Sequence, residues 1–107
     1  MSDNPLRNAS LEVIVGLQHV IQVSELLPSD NVETSADNLK WMCVTLVENI
    51  NTFPVDKISR WIGFVQGVLA CQGLLNVTEE RDRTRPLFHA AYQAMEIVPP
   101  ASMNMPS

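Results

Sequence analysis

The chain has few of the side chains from which catalytic and metal sites are usually built. It carries two cysteines and two histidines in 107 residues, with no C-x-x-C pair and no clustered histidines. It has no glycine-rich loop that could cradle phosphates, and neither a paired acid nor a nucleophilic serine motif stands beside His89. His19, in an apolar helical pattern, is expected to be a half-buried structural residue. We therefore expect no enzyme activity, no metal and no cofactor.

The chain also lacks a long hydrophobic run and a signal peptide. Its most apolar stretch, residues 61–75, is interrupted by two glutamines and is too short to span a bilayer, and its N-terminus is polar. Cys43 and Cys71 each lie in an apolar helical pattern, which favours two buried free thiols over a disulfide between helices or a metal site. These features predict a cytoplasmic protein that makes no membrane contact.

Charged residues are scarce, at 18% of the chain against 46% apolar residues. Such a chain is too apolar to be disordered and is low in charge for a solvated monomer. Its length allows one domain with little surplus of core, so self-association is a natural source of further stability. We expect a partner or a second copy to cover part of the apolar surface.

The sign of the charge changes along the chain. The net charge of −5 argues against direct nucleic-acid binding, which needs many cationic contacts to phosphates. Residues 56–85 hold five basic and four acidic side chains, a balance of +1, while the remainder holds two and eight, a balance of −6. An anionic ligand is therefore expected in the second half.

Hydrophobic periodicity predicts an all-α protein, a compact bundle of four to five helices, with oligomerisation left open. We place a flexible leader at residues 1–9, a single helical domain at 10–97 and a flexible tail at 98–107, where two prolines end order. The first helix is expected over residues 11–27, although the density of valine and isoleucine there also allows a strand.

Capping and breaking residues place the other helix ends. The second helix is expected over residues 36–50 and the third over 55–72. Pro86 either kinks the last helix or starts a fifth one. The residues expected to cap a helix are Asn8 or Ser10 for the first, Ser35 for the second, Asn76 for the last and, just beyond the third, Gly73.

Two features of the third helix call for close packing. Gly63 and Gly67 form a G-x-x-x-G, which we interpret mainly as helix packing within the chain, with a homo-oligomer contact or the approach of a ligand as alternatives. Trp61 is expected in the core, while Phe64 lies on a second apolar strip. A helix that is apolar on two sides is either central in its bundle or covered by a partner, and the central position is favoured slightly.

The run E-R-D-R-T-R at residues 80–85 carries most of the arginines. Arg81 and Arg85 lie one turn apart and could hold a phosphate or carboxylate in a bidentate manner, although a solvated, salt-bridged helix start is the plainer interpretation. If the last helix folds back on the third, Arg60 and Arg85 would converge with His89 and Tyr92.

The pattern R-W-I-G-F-V-Q-G-V-L, followed by E-R-D-R-T-R-P, resembles small uncharacterised accessory proteins of tailed bacteriophages. The resemblance covers residues 56–92, and it implies no catalytic residue. Such proteins often act by binding, so it implies an inhibitor of a host factor, for example of a nuclease or a CRISPR complex. The helix also bears a distant similarity to helical phage proteins that sequester cyclic nucleotides, but the spacing departs from theirs.

The leading hypothesis is a non-enzymatic phage protein that binds and inhibits a host protein in the host cytoplasm. It would use its acidic surface and the second apolar strip of the third helix. The alternative is an oligomeric protein that binds a nucleotide or another small anion, and a purely structural or assembly role is a third class. The residues expected to contact a ligand or partner are Arg60, Trp61, Phe64, Arg81, Arg85, His89 and Tyr92.

Overall fold

The computed structural model describes residues 4–95, and this part of the chain folds into four α-helices without a strand. One short 3-10 turn, at Val32–Thr34, precedes the second helix. The prediction of an all-α bundle is confirmed. The four helices are α1 at Pro5–Val23, α2 at Ala36–Glu48, α3 at Val55–Cys71 and α4 at Val77–Ala94.

α1 begins earlier than the sequence pattern suggested. Asn4 is its N-cap and accepts hydrogen bonds from the backbone N–H groups of Leu6 and Arg7, while Pro5 takes a first-turn position where it has no N–H to satisfy. The leader therefore does not extend to residue 9, and Ser10 is buried inside the helix with its hydroxyl donating to the Leu6 carbonyl. The helix ends at Val23, so residues 24–27 are not helical.

The other caps fall where the sequence placed them. The Ser35 side chain accepts from the N–H of Asn38, and the Asn76 side chain accepts from the N–H of Glu79. Beyond α3, Gly73 adopts a φ of +73°, a left-handed conformation that glycine adopts at little cost. Its neighbour Leu74 donates to the Leu69 carbonyl at 3.0 Å, which closes the end of the helix.

α1 is the central helix of the bundle, because it packs against α2, α3 and α4. The preference for α3 as the central helix was wrong, since one side of α3 carries core residues and the opposite side faces solvent. α1 can take three neighbours because its buried side chains cover a broad arc. The main buried core comes from α1, α2 and α3, and its residues are Val13, Ile14, Leu17, Ile21, Leu39, Met42, Cys43, Leu46, Ile58, Ile62, Val65 and Leu69.

α4 is a single helix that continues through Pro86, so the bundle has four helices rather than five. It is the least apolar of the four, and its buried residues are Glu80 and Ala91. Leu87 and Phe88 are half-buried against the core. The predicted tail at residues 98–107 and the end of the predicted domain lie outside the described residues.

Candidate functional site

An aromatic cluster joins α2 and α3. The Trp41 and Trp61 rings lie 5.7 Å apart between centroids, and the Phe53 ring meets Trp61 edge-on at the same distance. The Lys57 ammonium stands 4.0 Å from the Phe53 ring centroid and 5.1 Å from that of Trp61. These contacts leave Trp61 half-buried, and the Trp61 ring packs against one side of the Trp41 ring.

Trp41 belongs to a surface stripe that we call the α2 outer face, formed by Asp37, Trp41, Val44 and Glu48. Their spacing of i, i+4, i+7 and i+11 places them on one side of the helix. The core residues of α2 occupy the opposite side, which explains why Trp41 is 57% exposed and Val44 48% exposed. The stripe therefore presents two apolar side chains between two carboxylates.

The stripe carries the carboxylates of Asp37 and Glu48, and two lysines lie near it: Lys40 lines a groove with Val44, and Lys57 stands over the Trp61 ring that contacts Trp41. Neither of the two carboxylates forms an ion pair within the described chain. Lys40 is the basic residue of α2, and Arg7 is bound elsewhere, donating to the carbonyls of Ile50 at 2.8 Å and Phe53 at 2.7 Å. The carboxylates of α1, the 3-10 turn, α2 and their connections are Glu12, Glu25, Asp30, Glu33, Asp37 and Glu48.

A second surface, the α3 outer face, consists of Arg60, Gly63, Phe64, Gly67 and Cys71. It lies opposite the core residues of α3, and Phe64 is 38% exposed. Gly63, Phe64, Gly67 and Cys71 line a shallow groove of about 500 Å³, whose other walls are Val68, Gln72 and, from the 3-10 turn, Thr34. Cys71 is an exposed free thiol, whereas Cys43 is buried, so only one of the two cysteines is buried as expected.

The two glycines on this face do not seat another helix within residues 4–95. A Cβ atom added to either one would meet no described atom within 4 Å. The expected packing within the chain is therefore not made among residues 4–95. The exposed position of both glycines is compatible with either remaining interpretation of the G-x-x-x-G, a homo-oligomer contact or the close approach of a ligand.

A buried polar link attaches α4 to the rest of the bundle. Glu80 is only 7% exposed, and its carboxylate accepts from Gln66 Nε2 at 2.7 Å. Arg83 donates to both carboxylate oxygens at 2.9 Å through Nε and Nη2. The guanidinium lies against Gly16 of α1, where a Cβ atom would stand 2.8 Å from Nη1. Three helices thus meet around one carboxylate.

Three of the predicted ligand-binding residues, Arg60, Phe64 and Arg81, can be placed, and they do not share one described groove. Arg60 pairs with Asp56 at 3.7 Å on α3, and both side chains are largely exposed. Arg81 lines a groove of about 340 Å³ between α3 and α4, with Gln66 and Thr84 among its walls. Arg85, His89 and Tyr92 are half-buried on α4, line none of the grooves described here and remain untested as binding residues.

Sequence reasoning missed Trp41 and Glu80. Trp41 had a usable signal, because it falls off the core stripe of α2, and a tryptophan there is exposed unless something else covers it. Glu80 had none, because it lies in a run of alternating charge that is typical of a solvated helix.

The described residues offer no alternative site of a familiar kind. Residues 4–95 contain no group of three or more histidine, cysteine or acidic side chains placed to hold a metal ion. In the same part of the chain, no helix has both the length and the apolar character needed to cross a bilayer. Comparison of the chain with protein-family models, curated proteins and solved structures gave no match.

Proposed function

We propose that this chain is a non-enzymatic binding protein that inhibits a host protein by covering a basic surface of it with the α2 outer face. The observation that carries the proposal is the exposed Trp41, which stands with Val44 between two carboxylates on one side of a helix. Tryptophan in the centre of a patch, ringed by polar groups, is the usual composition of an interface hot spot.

Charge supports a basic partner. The net charge of −5 and the unpaired carboxylates of α1 and α2 would attract a positive surface over distances of about a Debye length. A protein whose task is to hold nucleic acid has such a surface, so an acidic inhibitor would compete with its substrate. Steering of this kind acts mainly on the association rate and is weakened by salt.

The resemblance to small phage proteins supplies the biological setting of the proposal. The target would be a host nuclease, a CRISPR complex or another host factor, and the chain would act in the host cytoplasm as a counter-defence or takeover protein. The support is the phage-like pattern at residues 56–92 together with the acidic face, and a host protein is the proposed partner.

The test is retention of a partner from bacterial lysate on the immobilised chain. We expect the wild-type chain to retain a basic protein that Trp41→Ala does not retain. Val15→Ala is the matched control, because Val15 is also an exposed apolar residue but lies on α1. Comparable melting temperatures of the three chains ensure that folding is not the cause.

The retained protein is then tested for nucleic-acid binding with and without the chain. We expect the chain to displace the nucleic acid, and Asp37→Asn with Glu48→Gln to slow association at low salt. If the wild type and Trp41→Ala retain the same proteins, the α2 outer face is not the interface and the proposal fails.

A nucleotide-binding oligomer is the second candidate, and one observation favours it. Arg81 has no ion-pair partner among the described residues and lines the groove between α3 and α4. An arginine in that position could hold a phosphate. Thermal-shift measurements with cyclic and linear nucleotides test this candidate: a shift that Arg81→Ala abolishes supports it, and no shift with any nucleotide rejects it.

A further inference from the structure

We infer that two copies of this chain pair through their α3 outer faces, with the two α3 helices antiparallel. The first reason is the unused glycine pair. Each glycine destabilises the helix that contains it relative to alanine, yet no described atom of the chain takes up the space beside Gly63 or Gly67. A helix of a second copy would use that space, because two helix backbones approach closely only where Cβ atoms are missing.

The shape of the face is complementary to itself. Phe64 projects from the face, and the groove beside it runs over Gly67 and Cys71. In a twofold-symmetric contact, every contact occurs twice: if residue i of one copy contacts residue j of the second, then residue j of the first copy contacts residue i of the second. A twofold axis between Phe64 and Gly67 therefore places each phenylalanine over the glycine of the other copy.

The charge of the face selects a second copy as the occupant. Arg60 at the N-terminal end of the face is paired with Asp56 beside it, so this ion pair adds no net charge. Elsewhere two copies with a net charge of −5 each would repel one another, most strongly at the unpaired carboxylates of α1 and α2. A basic partner would find nothing to attract it on the α3 outer face.

The orientation follows from the same residues. A parallel pair would bring Arg60 of one copy against Arg60 of the second, and Asp56 against Asp56. Repulsion between these like charges makes that arrangement unfavourable. An antiparallel pair instead places Arg60 beside Cys71 of the second copy, near the C-terminal carbonyls of that helix. Those carbonyls carry a partial negative charge that a cation stabilises.

The size of the face sets the expected affinity. α3 has 17 residues, which corresponds to a length of about 25 Å. A face of that length buries roughly half of the ~800 Å² per subunit of a standard interface. Because an interface of that area is smaller than most stable ones, we expect a weak dimer.

Light scattering coupled to gel filtration, over about 10 µM to 1 mM, tests the pairing across the expected range of affinity. We expect the mass to rise toward that of a dimer, and Gly67→Leu to remain a monomer. The substitution should leave the melt of the monomer no lower, because the position is open in the folded chain. Thr78→Leu, an exposed position on α4, is the control and should dimerise as the wild type does.

Cysteine cross-linking tests the orientation. Under oxidation, Arg60→Cys should form a disulfide-linked dimer through Cys71 of the second copy, and Arg60→Cys with Cys71→Ser should lose that cross-link. The wild type should not cross-link, because the two Cys71 residues would lie about 16 Å apart across the axis. The same spacing separates residues 60 and 71 in one chain, so an internal bond is excluded.

A wild-type chain that is monomeric throughout the concentration range overturns the inference, and so does a Gly67→Leu chain that dimerises equally well. A dimer that cross-links through Cys71 alone overturns the antiparallel arrangement. Trp41→Ala should leave the dimer intact, so this inference and the proposed function fail independently.

Discussion

The attachment of α4 by a buried carboxylate gives the sharpest stability prediction. Replacing Arg83 with alanine removes two hydrogen bonds and the opposite charge from Glu80, which is 7% exposed. Breaking a fully buried ion pair costs about 3–5 kcal/mol. The Arg83 side chain is 40% exposed, so water replaces part of the lost interaction. We expect a loss of about 2 kcal/mol in the free energy of unfolding.

Urea unfolding followed by circular dichroism measures this loss, and the melting temperature should fall by about 10 °C in a domain of this size. Arg60→Ala is the matched control, because it breaks an exposed pair at 3.7 Å in α3 and should cost less than about 0.5 kcal/mol. High salt should reduce the small effect at Arg60 in proportion more than the large one at Arg83.

A second substitution separates the lost charge from lost packing. Glu80→Gln in the Arg83→Ala background removes the unpaired buried charge, so the double variant should be more stable than Arg83→Ala alone. The reasoning is refuted if Arg83→Ala lowers the free energy of unfolding no more than Arg60→Ala does. It is also refuted if the double variant is less stable than Arg83→Ala alone. Either result would mean that solvent already reaches the Glu80 carboxylate.

Four further predictions each concern a single residue. Gly16→Ala should change the free energy of unfolding by less than about 1 kcal/mol, because the new Cβ would displace the guanidinium of Arg83 from 2.8 Å, at the far end of a flexible side chain, while alanine favours the helix; urea unfolding checks it. Arg7→Ala should cost about 2 kcal/mol in the same assay, since it removes two charged hydrogen bonds to carbonyls near the end of α2. Burial raises the pKa of the Cys43 thiol from its ordinary 9.0 to about 11, so Ellman's reagent at pH 8 should titrate Cys71 quickly and Cys43 only after denaturation. Because the unfolded chain loses the Cys43 proton first, the free energy of unfolding should fall as the pH rises from 9 to about 11, and Cys43→Ala should flatten that fall.

Local signals accounted for much of the secondary structure. The caps at Ser35 and Asn76 and the left-handed Gly73 depend on hydrogen bonds within a few residues, so the sequence around them is sufficient. The start of α1 was missed although Asn4 followed by Pro5 is also a local signal. The apolar pattern begins several residues later, and a helix can start before its apolar face does.

The arrangement of the helices was less accessible from sequence. Whether a helix is central depends on which faces its neighbours cover, and the two apolar sides of α3 fitted a central position as well as an exposed one. The decisive residue is Gly16 in α1, where the missing side chain admits Arg83 of α4. That contact joins residues 67 positions apart, and no periodicity within either helix reports it.

The burial of Glu80 could not be predicted for the same reason, because it depends on contacts between different helices. Its partners are Arg83, one turn away, and Gln66, 14 residues earlier on α3. The nearby arginine was visible in the sequence, but an exposed pair would look the same there. Only the position of α3 and of Gly16 removes the carboxylate from water, so its role could not be separated from that of Asp82 or Glu79 by sequence alone.

Charge is what assigns the two proposed surfaces to different partners. The α2 outer face holds an exposed tryptophan between two carboxylates without ion pairs, and two copies of a chain with a net charge of −5 would repel one another there. The α3 outer face balances Asp56 with Arg60, so the repulsion between copies is smallest there. Trp41 is not among the residues of the α3 outer face, so a pair formed through that face would not use it. A dimer that presents two acidic faces would gain avidity for a target with two basic surfaces without any new contact.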